Sequence, residues 1–219
     1  MIEPTKSTGW QRISFALLHV WVLGVCVVVI GAFLVQFIGR ELPCPLCLLQ
    51  RMAMLLAAMG PMFIIHRVTS VDSEPGADFS TGFGMSIIAS VLGLAISGRQ
   101  TLLHILPGDP GYGGAVFGLH LYTWAFIVFI VVILVSGLTL SAGSMMVVGT
   151  RRGRPGVWSR ITGWVLGVVI AGNVVSALFE SGTNWFLPDN PTNYQLIEEF
   201  RGYMDSRSSV VDPSGQKAN

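Results

Sequence analysis

Residues 13–38, ISFALLHVWVLGVCVVVIGAFLVQFI, decide the fold, because this run of about 26 positions contains no Asp, Glu, Lys or Arg. A helix rises about 1.5 Å per residue, so this one is long enough to cross a hydrocarbon layer of ~30 Å with some tilt. The run exceeds the apolar core of a signal peptide and lacks an obvious small-residue cleavage site. We therefore expect a retained first membrane-spanning helix.

The composition of the whole chain also indicates a membrane protein. Of its 219 residues, 52% are hydrophobic and 11% are charged, with a mean hydropathy of +0.64, whereas a soluble domain has about 25% charged residues. The formal net charge of +1 argues against a nucleic-acid partner, which needs a basic surface. Four further apolar runs, separated by polar or Pro- and Gly-rich segments, predict four more spans. They cover about residues 45–66, 83–106, 119–140 and 157–179.

A basic loop after the fourth run predicts the orientation. Four arginines lie between residues 151 and 160, and positive charge in short loops marks the cytoplasmic side. With five spans, the amino terminus is then cytoplasmic and the carboxyl tail is outside. Residues 107–118 contain no Lys or Arg and fall on the outer side together with Cys44 and Cys47. That side is the oxidising compartment, where disulfides persist.

These features predict an all-α membrane protein with three parts. Residues 1–140 form a four-helix transmembrane bundle, and residues 141–180 form the basic cytoplasmic loop and a fifth transmembrane helix. Residues 181–219 form a polar outer tail. Within the tail, apolar and charged residues alternate at helical spacing over about residues 193–204, after Pro191, which suits a helix start. We expect a short amphipathic helix on the outer membrane surface there; docking of a partner is the alternative.

The sequence Cys44-Pro45-Leu46-Cys47 is a candidate redox pair at the start of the second helix. Proline is tolerated best in the first turn of a helix, and the partial positive charge of a helix N-terminus stabilises a thiolate. A C-x-x-C at such a position has a lowered thiol pKa, and the thiolate is the attacking species. The spacing also lets the two sulfurs form one disulfide. Cys26, the third cysteine, lies inside the first apolar run and is interpreted as a small buried hydrophobe.

Arg51 and Gln50 follow the pair on the same helix face. Arg51 is four residues after Cys47 and Gln50 is three, so both lie beside or one turn below the sulfurs. An arginine in a spanning segment faces a bundle interior, a polar cavity or the headgroups. Here it can hold a thiolate or polarise a carbonyl oxygen of a bound electron acceptor, and we count Gln50 in the same binding site. Simple snorkelling of Arg51 to the headgroups is the alternative.

Two other interpretations of Cys44 and Cys47 remain open. The pair can be an inert structural disulfide. It can also be half of a zinc site, since His104 and His120 lie on the same predicted side and zinc prefers four ligands. We favour the redox pair and predict no bound metal.

Several residues within the predicted spans carry smaller expectations. Four glycines are predicted points of close helix packing: Gly93, Gly98, Gly163 and Gly167. Asn173 and Glu180 lie toward the outer end of the fifth run, and the sequence does not show whether they face the bundle.

Residues 43–51, PCPLCLLQR, resemble the quinone-reducing site of the DsbB family of disulfide bond formation proteins. Two weaker stretches, residues 99–107 and residues 118–124, are similar to further segments of that family and follow in the same order. The resemblance covers roughly residues 13–140. It implies a four-helix bundle in the bacterial inner membrane that reoxidises a periplasmic thioredoxin-like dithiol protein and passes the electrons to ubiquinone or menaquinone.

The resemblance also implies roles for individual residues. Cys44 and Cys47 become the pair beside the quinone, with Cys47 engaging the ring and Arg51 donating a hydrogen bond to it. His104 and Leu121 line the ring pocket.

The chain departs from the family because residues 107–118 contain no second cysteine pair. Either the partner exchanges directly with Cys44–Cys47, or another chain supplies the missing pair, or no dithiol is oxidised. Direct exchange requires exposed sulfurs, and we expect the short glycine-rich loop to leave them less covered. The predicted function is a membrane protein-disulfide:quinone oxidoreductase. The alternative is a non-catalytic membrane subunit with a structural disulfide that assembles with a partner protein.

Overall fold

The computed structural model describes residues 9–70, 72–143, 156–183, 187–188 and 191–211. In these residues it contains six helices and one hairpin of two-residue strands. The elements are α1 Gly9–Phe37, α2 Pro45–Arg67, α3 Pro75–Leu103, β1 Ala115–Val116, β2 Leu119–His120, α4 Leu121–Ser141, α5 Val157–Ser181 and α6 Gln195–Val211. Helices α1 to α5 are each long and apolar enough to cross a membrane. The predicted all-α membrane fold, with a fifth span and a helix in the tail, is confirmed.

The start of α3 differs from the prediction. The third apolar run predicts a span that begins at about residue 83, but α3 already begins at Pro75. The reason is the side chain of Asp78, which accepts hydrogen bonds from the backbone N–H of Glu74 and the hydroxyl of Ser73, each at 3.0 Å. Asp78 also pairs with Arg67 of α2 at 2.8 Å. These contacts give the polar groups near the start of α3 hydrogen-bond partners, so a segment whose polar composition predicts a loop forms the first turns of the helix.

Close contact between helices holds α2, α3 and α4 together. A Cβ added at Gly60 of α2 would lie 2.2 Å from the carbonyl oxygen of Gly82 of α3, so the two backbones touch. One turn further along α3, the hydroxyl of Ser86 donates to the carbonyl of Ala57 at 2.8 Å. A Cβ at Gly93 would lie 2.2 Å from the Phe129 ring of α4. The prediction of close packing at Gly93 is therefore confirmed.

The other predicted packing glycines differ among themselves. A Cβ at Gly98 would lie 3.2 Å from Phe126, and one at Gly163 would lie 3.1 Å from Met62, so both make close contacts. Gly167 has nothing within 4 Å of its Cβ position, and the prediction for it is wrong.

Helix α5 packs against α1 and α2, so the fifth helix contributes to the core of the bundle. The core includes Val22 and Val29 of α1, Ile65 of α2 and Leu166 of α5, all nearly or fully buried. Cys26 lies in this core and is 1% exposed, as expected for a small buried hydrophobe. Arg151, Arg152 and Arg154, which carried the orientation prediction with Arg160, lie outside the described residues.

The hairpin and α6 lie at the end of the bundle where α2 begins. The indole N–H of Trp124 in α4 donates to the carbonyl of Val116 at 2.9 Å and so fixes β1 against α4. Helix α6 is joined to the end of α5 by Glu199, which accepts from the hydroxyl of Thr183 at 2.7 Å. Large apolar side chains of α6 are exposed, among them Phe200 and Met204, as an amphipathic surface helix requires.

The contact between Gly60 and Gly82 predicts a strong effect of a single added methyl group. Gly60→Ala should lower the stability of the bundle by about 1–3 kcal/mol, because α2 and α3 must move apart. Thermal unfolding of the purified protein in detergent measures this. Gly84→Ala is the matched control, since its Cβ meets nothing within 4 Å and alanine favours a helix. Equal unfolding midpoints for both variants would contradict the close approach.

Candidate functional site

Cys44 is the N-cap residue of α2. Its backbone is extended (φ −71°, ψ 163°), its sulfur accepts a hydrogen bond from the backbone N–H of Cys47 at 3.2 Å, and Pro45 occupies the first helical position. Both cysteines are free thiols in this structure, and their Sγ atoms lie 2.8 Å apart. The predicted helix start is therefore present, and the two sulfurs lie at the positive end of α2.

The two sulfurs have different surroundings. Cys44 is 5% exposed, whereas Cys47 is partly open and lines a cavity. The hydrogen bond with Cys47, followed by burial, raises the pKa of Cys44 well above its ordinary value. Cys47, and not Cys44, is thus the sulfur that faces the cavity.

Gln100 of α3 holds both sulfurs. Its side-chain N–H₂ donates to Cys44 Sγ at 3.2 Å and to Cys47 Sγ at 3.5 Å, and its carbonyl oxygen accepts from Gln50 Nε2 at 2.8 Å. Gln100 is 1% exposed. Gln100 lies in the stretch 99–107 that resembles the DsbB family, but its contacts with the two sulfurs were not predicted from the sequence. The available signal was a glutamine in a predicted membrane span, where polar side chains usually serve a function.

Arg51 faces the bundle and does not reach toward headgroups. It is 8% exposed, and its Nη1 donates to the side-chain oxygen of Gln36 in α1 at 2.7 Å. Its Nη2 donates to the carbonyl of Ala32 at 3.3 Å, and the guanidinium lies 5.4 Å from the centre of the Phe33 ring. Three neighbouring residues of α1 thus fix the position of the guanidinium, which also lines the cavity beside Cys47.

The cavity has a volume of about 360 Å³ and lies between α1, α2, α4 and the segment that joins α3 to α4. Its polar end is formed by Cys47, Gln50 and Arg51, and its remaining walls are largely apolar. Leu121 from the start of α4 is one of the lining residues, together with Tyr122. The structure thus brings four of the sequence-predicted site residues to one cavity.

His104 does not line this cavity. It is the C-cap residue of α3, pairs with Asp109 at 3.1 Å and stacks on Tyr122 with ring centroids 5.6 Å apart. Tyr122 therefore lies between His104 and the cavity. The ring of His120 also stacks on that of Tyr122, with ring centroids 5.3 Å apart. Among the described residues, no three or more His, Cys, Asp or Glu side chains are grouped to hold a metal ion.

The segment between α3 and α4 covers the cysteines, contrary to the expectation of an open loop. The hydroxyl of Tyr112 donates to the carbonyl of Leu42 at 2.6 Å, and Glu41 accepts from the backbone N–H of Gly114 at 3.0 Å. Burial raises the pKa of Tyr112 to about 12, so its hydroxyl remains a donor at neutral pH. Gly113, with φ +71°, allows the backbone to turn back over this end of the bundle.

The fold and site define a multi-pass α-helical membrane protein with a C-x-x-C pair at the start of a buried helix. The family profile described as disulfide bond formation protein DsbB matches residues 12–113, a segment that contains Cys44, Cys47, Arg51 and Gln100. Residues 12–113 thus match the DsbB family, and over this segment the resemblance noted from the sequence is confirmed. This match and the five helices that are long and apolar enough to cross a membrane support a multi-pass protein of the bacterial inner membrane.

Two relatives illustrate the match. The disulfide bond formation protein B of Chromohalobacter salexigens is 38% identical over 87 residues, which cover 38% of this chain and 47% of that protein. The protein of the same name from a Polaromonas species is 30% identical over 93 residues, covering 42% of this chain and 51% of that protein. The chain thus spans about half the length of the curated relatives it matches. No solved structure matches it significantly.

The contacts of Gln100 predict that it controls the reactivity of the cysteines. Gln100→Leu should slow alkylation of the reduced Cys47 at neutral pH about tenfold, because a hydrogen bond to a charged group contributes roughly 1.5–3 kcal/mol. Mass spectrometry of iodoacetamide-treated protein measures the rate at each cysteine. Thr101→Ala is the control, since the Thr101 hydroxyl donates to Ser97 of its own helix. Unchanged rates in Gln100→Leu would exclude this role.

Proposed function

We propose that this protein is a membrane thiol-disulfide oxidoreductase. It takes electrons from a dithiol protein on the outer side of the membrane and passes them to a quinone through Cys44 and Cys47. One observation carries the proposal: Cys47 and the buried guanidinium of Arg51 line the same largely apolar cavity within a membrane-spanning bundle. The names of the relatives, which are disulfide bond formation proteins, support the same chemistry.

The cavity suits a quinone ring. Its volume of about 360 Å³ is within the range of small-molecule sites, its walls accept a flat apolar ring, and its polar end offers hydrogen-bond donors for a carbonyl oxygen. Arg51 has five N–H donors, of which two bond Gln36 and Ala32. Ubiquinone or menaquinone, when bound, would supply an acceptor of two electrons and two protons. Arg51, Gln50 and Leu121 would hold it next to Cys47, with His104 behind Tyr122.

The cysteine pair performs the thiol exchange. A thiolate of the partner attacks one sulfur of the Cys44–Cys47 disulfide and forms a mixed disulfide, and the second thiol of the partner then displaces the cysteine. The partner leaves with a disulfide, and Cys44 and Cys47 end as thiols that hold two electrons and two protons. Closure of the Cys44–Cys47 disulfide, whose sulfurs lie 2.8 Å apart, then releases these two electrons and two protons, which a quinone held in the cavity would take up. Arg51 stabilises negative charge that develops at the acceptor.

The cysteine count of this chain is compatible with direct exchange, for which the alternative is a second pair supplied by another chain. The chain has three cysteines, and Cys26 is buried in α1, so within this chain only Cys44 and Cys47 are available for exchange. Because Cys44 is 5% exposed, the segment tied down by Tyr112 has to move before a partner sulfur can reach the pair.

We further propose that the end of the bundle bearing the cysteines faces outward. Arg12 at the start of α1, Arg67 at the end of α2 and Arg160 at the start of α5 all lie at the opposite end, which the positive-inside rule assigns to the cytoplasm. The amino terminus is then cytoplasmic, and the tail from residue 181 is periplasmic.

Quinone reduction by the purified, reduced protein tests the function. Cys44→Ser and Cys47→Ser should each lower the rate to the uncatalysed background, because neither single thiol can form the internal disulfide. Arg51→Gln should lower it about a hundredfold, the usual effect of losing one donor to a developing anion. The absorbance of a short-chain ubiquinone analogue measures the rate, and Cys26→Ala is the control. A wild-type protein without quinone reduction would favour the non-catalytic subunit.

Labelling of intact spheroplasts tests orientation and access together. In a Cys26→Ala background, a membrane-impermeant maleimide should label the pair from outside about fivefold faster in Tyr112→Phe than with Tyr112 intact, because one hydrogen bond contributes about 1 kcal/mol. Tyr203→Phe, which changes an exposed tyrosine of α6, is the control. Labelling only from the cytoplasmic side would overturn the orientation. Equal labelling rates in Tyr112→Phe and in the protein with Tyr112 intact would show that Tyr112 does not hold the segment between α3 and α4 over the cysteines.

A further inference from the structure

Glu180 is a buried acid in α5, outside the segment that matches the DsbB family. It is 1% exposed although it lies within a membrane-spanning helix. Its Oε1 accepts two hydrogen bonds, from Gln36 Nε2 at 2.6 Å and from the hydroxyl of Ser176 at 2.8 Å. A carboxyl group in such surroundings is costly and requires compensation.

Gln36 connects this acid to the site. Its Oε1 accepts from Arg51 Nη1 at 2.7 Å, while its Nε2 donates to Glu180. An amide can accept on one side and donate on the other, so it can stand between a guanidinium and a carboxylate without an unsatisfied group. Gln36 is itself 2% exposed. The result is a buried chain across three helices, from Arg51 of α2 through Gln36 of α1 to Glu180 of α5.

The contacts of Glu180 fit the ionised form. Its Oε1 faces two donors, so a proton on the neutral acid would have to lie on Oε2. Among the described residues Oε2 has no hydrogen-bond partner, which is costly for a buried acid in either protonation state, so an ionised Glu180 requires a nearby cation. The nearest compensation for a carboxylate is the positive charge of Arg51, which is separated from Glu180 by the side-chain amide of Gln36.

We propose that Glu180 is a positioning residue that acts as the counter-charge of Arg51 through Gln36. It holds the guanidinium in the cavity wall beside Cys47, which makes α5 a functional part of the redox site. This inference rests on the proposed function for its effect on catalysis, whereas the charge pairing itself does not depend on it.

The physical basis is the cost of an unpaired buried charge. Removing one member of a buried pair leaves the other without compensation, which is strongly destabilising, whereas removing both is much less harmful. Residues without shared partners show additive effects, so a double variant that is more stable than either single variant indicates that the two charges compensate each other. The combination of Glu180→Gln and Arg51→Gln therefore distinguishes a charge pair from a structural role, because Glu180→Gln keeps the shape of the side chain and Arg51→Gln replaces the cation with a neutral amide.

The first measurement is the apparent thermal unfolding midpoint of four full-length proteins in lipid-containing detergent: wild type, Glu180→Gln, Arg51→Gln and the double variant. Each single variant should unfold roughly 4 °C or more below wild type, and the double variant should unfold at a higher temperature than either single variant. Glu198→Gln, which removes an exposed acid from α6, is the matched control and should leave the midpoint unchanged. Additive losses in the double variant would overturn the pairing.

The second measurement is quinone turnover. Glu180→Gln should raise the KM for a short-chain ubiquinone analogue about tenfold, with a smaller change in kcat, because Arg51 loses its fixed position. In an Arg51→Gln background, where the positive charge is already absent, the same substitution should have little further effect, and Glu198→Gln should have none. A lower kcat at unchanged KM would contradict positioning. If the wild type reduces no quinone but the unfolding midpoints still couple, the proposed function fails and the charge pair remains.

Discussion

The guanidinium of Arg51 has to find acceptors inside an apolar bundle, and much of the arrangement around it follows from this need. Its partners are Gln36, the carbonyl of Ala32 and the ring of Phe33, which occupy neighbouring positions of α1. These contacts fix α1 against α2 near the end where α2 begins. They also leave an edge of the guanidinium on the cavity that Cys47 lines. A single buried cation therefore contributes both to the packing of α1 against α2 and to the polar end of the cavity.

The sulfurs depend on a second set of polar contacts. Gln100 of α3 donates to both Cys44 and Cys47, and Gln50 of α2 orients Gln100 in turn. The surrounding protein excludes water, which strengthens such hydrogen bonds. The rest of the bundle supports this polar end through close contacts, in particular where Gly60 meets the backbone of α3. Tight packing there limits how far α2 can move relative to the residues that hold its cysteines.

Part of this arrangement can be read from short-range sequence patterns. The five spans follow from apolar length, and Pro45 indicates where α2 begins. The register that puts Arg51 one turn below Cys47 is a property of any helix. The prediction failed where distant polar contacts replaced loop structure. Asp78 extends α3 toward its N-terminus by pairing with Arg67, and Tyr112 ties a glycine-rich segment down over the cysteines.

By itself, the sequence determined the membrane class, the spans and the grouping of Cys44, Cys47 and Arg51 on one helix face, because each depends on spacing within a single element. Only the tertiary structure decided which partners surround them. Gln100 and Cys44 are 56 positions apart, and Gln36 and Glu180 are 144 positions apart. No local periodicity relates such residues, since helix packing alone brings them within hydrogen-bonding distance. The same packing puts Tyr122 between His104 and the cavity.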